Sequence, residues 1–167
     1  MKKLILLPFI MVISNTAIGL SQYNPSDVDQ FKKTGQCPGC DLTRASISYL
    51  NISHVNLEGS LLSEANLTHD IFANANFIQT HLLSADLSYG NFSEGNFSSA
   101  NLIDANLHSA NFSRCNFSSA NLTGADLSYA VLIESNISQS QLSTAKSLSC
   151  AIMPDGTRHG ADNDKKC

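Results

Sequence analysis

The sequence predicts a solenoid, a rod of short stacked units, and two periods in the chain predict it. An apolar residue (Leu, Ile or Phe) recurs at every fifth position without an insertion. These twenty-one central positions are Leu42, Ile47, Ile52, Leu57, Leu62, Leu67, Phe72, Phe77, Leu82, Leu87, Phe92, Phe97, Leu102, Leu107, Phe112, Phe117, Leu122, Leu127, Leu132, Ile137 and Leu142. A second period of twenty places Phe72, Phe92 and Phe112 in one row and Phe77, Phe97 and Phe117 in the next. Such self-similarity is typical of stacked units that cannot bury their apolar side alone.

The other positions of each unit explain how such a rod is filled and bent. The residue two before each centre is small at most steps, so a large and a small residue together fill a narrow bore without voids. The residue just before the centre is Asn or Asp in fifteen of the twenty-one units, which suits hydrogen bonding at tight bends. Cys115 falls on the small-residue row, which predicts a buried, unreactive thiol.

The unit A(N/D)LXX resembles the pentapeptide-repeat family over Cys40 through about Thr144. The segment CPGCDL is similar to the opening seen in many members. CAIMPDGT…C resembles a closing segment, although Ala151 and Ile152 replace its usual polar residues. The resemblance implies an all-β solenoid, a right-handed quadrilateral β-helix with one unit per side and twenty residues per coil. Twenty-one units then give about five coils and a rod about 25 Å long.

The chain divides into four expected segments. Residues 1–21 form a signal peptide, 22–39 an N-terminal cap, 40–144 the β-helix and 145–167 a C-terminal cap closed by a disulfide. The open ends of a solenoid need such caps. In the first cap a short helix is predicted, with Ser26 as N-cap, Val28 and Phe31 on one face and Gly35 at its end.

The N-terminal segment predicts export to the periplasm or the extracellular space. Two lysines precede an apolar run of ten residues, Leu4 to Ile13, and small residues follow in NTAIGLS. The run is too short to span a hydrocarbon core of ~30 Å, so no stable membrane anchor is expected after cleavage. The alternative for this run is a buried N-terminal helix. Eight Asn-x-Ser/Thr triplets arise from the repeat itself and mildly favour a bacterial origin over a glycosylating secretory route.

Because exported proteins meet an oxidising environment, we expect the cysteines to form disulfides. The simplest pairing joins Cys37 to Cys40 and Cys150 to Cys167 and leaves Cys115 free, although sequence alone does not fix connectivity. Cys37 and Cys40 also raise the alternative of a thiol–disulfide partner. A structural disulfide is favoured, because the pair follows a predicted cap helix instead of opening the helix of a βαβ unit.

No catalytic, cofactor-binding or metal site is predicted. The five histidines occupy different positions of the repeat and show no ligand spacing, and the abundant serines fill outward positions. We therefore expect a non-catalytic structural or protein-interaction module with no cofactor. A homodimer is allowed by the resemblance, since some members of the family dimerise through the terminal coil.

Two outward rows are the candidate binding surface. The period of twenty places Tyr49, His69, Tyr89, Ser109 and Tyr129 in one column, two positions after their centres. Tyrosine is enriched in recognition surfaces, although aromatic residues also suit strands without any binding role. Leu83 and Ile103 stack on an adjacent side and would form a small apolar spot.

Mimicry of duplex DNA, as in relatives that inhibit type II topoisomerases, is the alternative function. Residues 41–144 carry nine Asp or Glu and two Arg. Duplex DNA of about 25 Å carries roughly fifteen charges, one per ~1.7 Å. The net charge of the repeat is about half of that, and export would separate the protein from DNA enzymes. A protein partner is therefore expected, and no nucleic acid.

One unit departs from the pattern. Asp70 stands on the small inward row, and Ile71 takes the usual place of Asn. Because a buried unpaired carboxyl is costly, we predict a distorted corner at residues 69–72, with Asp70 turned outward or hydrogen-bonded.

Overall fold

The computed structural model describes residues 23–160 and 167. Helix α1 (Pro25–Thr34) precedes a long run of five-residue units, and helix α2 (Gln139–Thr144) follows their regular part. The predicted signal peptide, residues 1–21, lies outside the described residues, as do residues 161–166 of the predicted C-terminal cap. Among the described helices, none is long and apolar enough to cross a membrane.

Parallel bridges between residues twenty apart set the register of the coil. The residue before each centre pairs with its counterpart one coil later, as in the series Asn56, Asn76, Asn96 and Asn116. Four such series follow one another along the chain, which gives each coil four sides. We number the sides by their central rows: the first contains Leu82, the second Leu87, the third Phe92 and the fourth Phe97.

Each side ends in a tight turn whose geometry explains the residues found at the corners. In a regular unit the small-row residue donates to the carbonyl of the centre three residues before it, which belongs to the preceding unit, as Ala85 N does to Leu82 O at 3.1 Å. The residue two after the centre has a left-handed φ, 55° to 63° among the non-glycine corner residues from Arg44 to Glu134. None of these corner residues is Val, Ile or Thr, because β-branched side chains fit this conformation badly. Gly39, Gly59 and Gly124 use the same left-handed conformation.

The predicted role of Asn and Asp at the bends is confirmed by their hydrogen bonds. Asn91 Oδ1 accepts from Ser93 N at 3.1 Å, and Asn111 Oδ1 accepts from Ser113 N at 3.0 Å. Asn111 Nδ2 in turn donates to Asn91 Oδ1 of the previous coil at 3.2 Å. The bend residues thus tie each turn internally and tie each coil to the next.

The bore is filled by the central rows. Phe77, Phe97 and Phe117 stack along the fourth side with ring centroids 4.6 and 5.4 Å apart, and all three rings are buried. At the N-terminal end, Phe31 of α1 packs edge-on against Phe72 at 5.8 Å. Helix α1 therefore continues the aromatic core beyond the first coils.

Two local predictions about the ends are wrong. The N-cap of α1 is Asn24, whose Oδ1 accepts from Ser26 N at 3.1 Å, because Pro25 takes the first position of the helix. Leu142, predicted as the last centre, lies in α2 and is buried there. The coil that contains α2 is one residue longer than the others. Asp126 therefore pairs with Ser147, twenty-one residues later instead of twenty.

The predicted distortion at Asp70 is also wrong, although its hydrogen bond is confirmed. His69 has the ordinary corner φ of 59°, and Phe72 N donates to Asn91 O at 2.8 Å as in a regular coil. Asp70 is completely buried, and its Oδ1 accepts from Leu50 N at 2.8 Å. The regular coil is kept because the carboxyl takes over a backbone donor of the preceding coil.

Candidate interaction surface

The corner between the second and third sides carries a stack of aromatic rings. Tyr49 and His69 lie 4.8 Å apart between ring centroids with planes 10° apart, and His69 and Tyr89 lie 5.1 Å apart with planes 8° apart. Tyr49, Tyr89 and Tyr129 are 73%, 54% and 47% exposed. The column predicted from the period of twenty therefore exists as a physical stack on the surface.

His108 fills the fourth step of this stack, and sequence reasoning missed it. Its ring lies edge-on between Tyr89, at 5.5 Å, and Tyr129, at 5.3 Å. Ser109, which holds the corner position of that coil, has no ring, and the imidazole of the preceding residue occupies the gap. The sequence did contain a signal for this contact, because His108 stands next to Ser109, the one position of the predicted column without a ring. We call Tyr49, His69, Tyr89, His108 and Tyr129 the aromatic ladder.

The backbone fixes the spacing of the aromatic ladder. Adjacent strands of a sheet lie about 4.8 Å apart, and this rise matches the separation of face-to-face rings. Aromatic pairs contribute about 0.5–1.5 kcal/mol beyond the area that they bury. Five consecutive rings therefore contact one another in a single line along the rod.

A polar hollow of about 340 Å³ adjoins the C-terminal half of the aromatic ladder. Its lining includes Tyr89, Asp104, His108, Asp126 and Lys146. Burial acts to raise the pKa of Asp126, but hydrogen bonds from Ser128 and the electrostatic influence of His108 and Lys146 leave that pKa below its ordinary value. Asp126 is therefore a carboxylate near neutral pH, next to the ladder.

Leu83 and Ile103 lie on the first side, apart from the aromatic ladder. They occupy equivalent positions of adjacent coils, and Ser84 N donates to Ile103 O at 2.9 Å. Leu83 is 41% exposed and Ile103 is half-buried. The two predicted patches are therefore on different sides of the rod.

Cys37 and Cys40 form one disulfide and Cys150 and Cys167 form another, while Cys115 is free. Cys37 and Cys40 are buried against the rod. Cys115 Sγ donates to Phe92 O at 3.0 Å, and burial raises the pKa of its thiol to about 12. In residues 23–160 and 167, no three His, Cys, Asp or Glu residues come together as metal ligands would.

These burials predict an order of chemical reactivity. Under native conditions with a mild reductant and an alkylating reagent, we expect modification first at Cys167, because it is exposed while its disulfide partner Cys150 is buried. We expect none at Cys115, Cys37 or Cys40, because only an accessible thiolate reacts. Mass spectrometry of the labelled peptides measures this, with a guanidinium-unfolded sample as the control in which all five react. Rapid native labelling of Cys115 would contradict the prediction.

Among the solved structures that this chain matches are pentapeptide repeat proteins. One (Rfr23), from the cyanobacterium Cyanothece 51142, is 22% identical with a TM-score of 0.53, over 63% of this chain and 85% of that one. One from the thylakoid lumen of Arabidopsis thaliana is 28% identical with a TM-score of 0.34, over 64% and 72%. HetL from Nostoc sp. strain PCC 7120 is 24% identical with a TM-score of 0.28, over 74% and 87%. A comparison with curated protein sequences found no match.

The sequence model of the pentapeptide repeats matches the chain in 8 copies. The matched segments are residues 37–63, 60–98, 82–118 and 110–146, which together cover more than half of the 167 residues. They coincide with the coils described above. The chain therefore belongs to the pentapeptide repeat family, and its solenoid is the right-handed β-helix of that family.

Proposed function

We propose that this protein is an exported, non-catalytic interaction module that binds a protein partner through the aromatic ladder. The observation that carries the proposal is the line of five aromatic rings in contact along one corner of the rod, stacked from Tyr49 to Tyr89 and edge-on at His108. Tyrosine offers a large amphipathic contact area at low cost in side-chain entropy. A ladder whose rings already hold one another in place loses little further freedom on binding.

The charges around the aromatic ladder suggest the chemistry of the partner. Asp104 and Asp126 line the adjacent hollow, and residues 41–144 carry seven more acidic than basic side chains. Lysine or arginine on the partner would meet both these carboxylates and the aromatic rings, to which cations are attracted. A partner segment that carries basic residues is therefore the best fit.

Export and the caps complete the proposal. Disulfides persist mainly outside the reducing cytosol, so the two disulfides favour an exported protein. Helix α1 and the segment after α2 would act as caps that shield the ends of the core from solvent and from edge-to-edge pairing. The burial of Cys37 and Cys40 favours a structural disulfide over a thiol–disulfide exchange site.

The test compares two corners of the same rod. Tyr89→Ser/Tyr129→Ser alters the aromatic ladder, and serine already occupies this left-handed corner position at Ser99 and Ser119 on the opposite corner. The matched control is Ser99→Ala/Ser119→Ala. A partner captured by the wild-type protein is expected to bind the tyrosine variant on the order of thirtyfold more weakly, the equivalent of ~2 kcal/mol, and the control unchanged. Equal affinities for all three proteins would rule out the ladder as the binding surface.

A further inference from the structure

Asp70 is a carboxyl group inside the bore of the solenoid, directly behind the aromatic ladder. The residue is completely buried, and it immediately follows His69, the second residue of the ladder. Its Oδ1 accepts from Leu50 N at 2.8 Å. Its Oδ2 is buried and has no hydrogen-bond partner.

The bond to Leu50 replaces part of an ordinary turn. In a regular unit the small-row residue donates to the carbonyl of the preceding centre, as Ala65 N does to Leu62 O at 3.0 Å. Leu50 occupies the small row, but it is larger than the alanine usual there and is only half-buried. Its N–H donates instead to Asp70 of the next coil. This bond therefore joins the corner at Tyr49 and Leu50 to the corner at His69 and Asp70.

The environment of Asp70 favours its neutral form. Burial raises the pKa of its carboxyl to about 8, which the hydrogen bond from Leu50 only partly opposes. Since Oδ1 is the acceptor, the proton of the neutral acid lies on Oδ2. The titratable groups at this corner are His69 on the same coil, Tyr49 on the coil before and Tyr89 on the coil after. Among the described residues, none of them forms an ion pair with Asp70.

We propose that Asp70 is a pH-sensitive latch that holds the N-terminal end of the aromatic ladder in its stacked geometry. The neutral acid closes the corner through the bond to Leu50. Ionisation places a negative charge in the apolar bore, where a single N–H donor serves the two carboxylate oxygens. The conformational change that solvates this charge at the lowest free-energy cost is opening of the corner toward water. Opening separates the backbones that hold the rings of Tyr49 and His69, now 4.8 Å apart. Asp70 is thus a positioning residue, and its use as regulation rests on the proposed function of the ladder.

The latch is testable by NMR without any partner. Three quantities are followed from about pH 6 to about pH 9.5: the carboxyl carbon shift of Asp70, the exchange protection of the Leu50 amide, and the nuclear Overhauser effects between the Tyr49 and His69 rings. Asp70→Asn keeps an acceptor for Leu50 but cannot ionise. Asp86→Asn, which removes a carboxyl from a surface bend, is the matched control.

In the wild type and in Asp86→Asn we expect the carboxyl carbon to titrate near pH 8. Leu50 protection should fall by up to about tenfold for each pH unit above the midpoint, as one linked proton requires, and the ring contacts should weaken with it. In Asp70→Asn protection should stay constant. An Asp70 already ionised at pH 6, or Leu50 protection unchanged through the titration, would overturn the proposal.

The wild type and the Asp86→Asn control decide the question even if Asp70→Asn does not fold, because both signals belong to the native chain. Failure of the proposed function has a different signature. If the ladder binds no partner, the tyrosine variants bind as the wild type does, while the titration of Asp70 and its effect on Leu50 are still observed.

Discussion

Replacement of Phe97 by alanine is expected to lower the free energy of unfolding by about 3–5 kcal/mol, the usual cost of truncating a buried phenylalanine. Phe97 is completely buried at the middle of the rod. Its ring contacts Phe77 at 4.6 Å, Phe117 at 5.4 Å, Phe112 at 5.6 Å and Phe92 at 6.2 Å. The cavity left by alanine would interrupt two phenylalanine rows at once, and coils on both sides of it would lose packing.

The measurement is guanidinium unfolding followed by far-ultraviolet circular dichroism. Phe97→Leu is the matched control, because leucine already fills a centre of the same row at Leu57 and leaves a smaller cavity than alanine, so it should cost less than Phe97→Ala. A cost below about 1 kcal/mol for Phe97→Ala would show that the ring does not lie in a tightly packed bore.

Raising the pH is expected to destabilise the folded protein through Asp70. Its pKa in the folded state is about 8, against an ordinary value of 3.8. Between these values the unfolded chain releases the proton while the folded chain keeps it. The contribution of the neutral Asp70 carboxyl to the free energy of unfolding is therefore complete below about pH 4. It declines as the pH rises and is lost by about pH 8. One pKa unit corresponds to about 1.4 kcal/mol, so the decline is at most on the order of 5 kcal/mol, and less where the corner opens.

The comparison of wild type with Asp70→Asn isolates this effect from the titration of other groups. Unfolding free energies at about pH 5 and about pH 8 are expected to differ much less in the variant than in the wild type. Asp86→Asn should retain the wild-type dependence. The same dependence on pH in Asp70→Asn and in the wild type would assign the effect to other residues.

The sequence was sufficient for the coil, because in a solenoid the packing partners are fixed by the period. Phe77 and Phe97 stack because they are twenty residues apart, and the same arithmetic places Tyr49 beside His69. The small row likewise predicted the burial of Cys115. Local pattern and global fold agree here at nearly every unit, which is the condition under which sequence reasoning succeeds.

The features that escaped prediction depend on particular residues and not on the repeat. His108 bridges Tyr89 and Tyr129 from the neighbouring position, because its ring reaches a gap that Ser109 leaves. Asp70 stays in the bore because its carboxyl accepts from Leu50 N, a bond from a side chain to the backbone that the pattern of large and small residues does not indicate. Helix α2 takes the place of the last unit. The capping box of Ser138 and Gln141 favours a helix there, and Gln141 stands where the repeat usually has Asn or Asp.

Site-specific photo-crosslinking tests most directly the claim that the aromatic ladder is the recognition surface. A photoreactive amino acid is placed at Tyr89 or Tyr129 on the ladder, and at Ser99 or Ser119 on the opposite corner, where the backbone conformation is the same. Cells that produce each variant are then irradiated and the adducts are identified by mass spectrometry. We predict that both ladder positions crosslink to the same protein and that neither serine position does. Adducts from the serine corner alone, or equally from all four positions, would contradict the account.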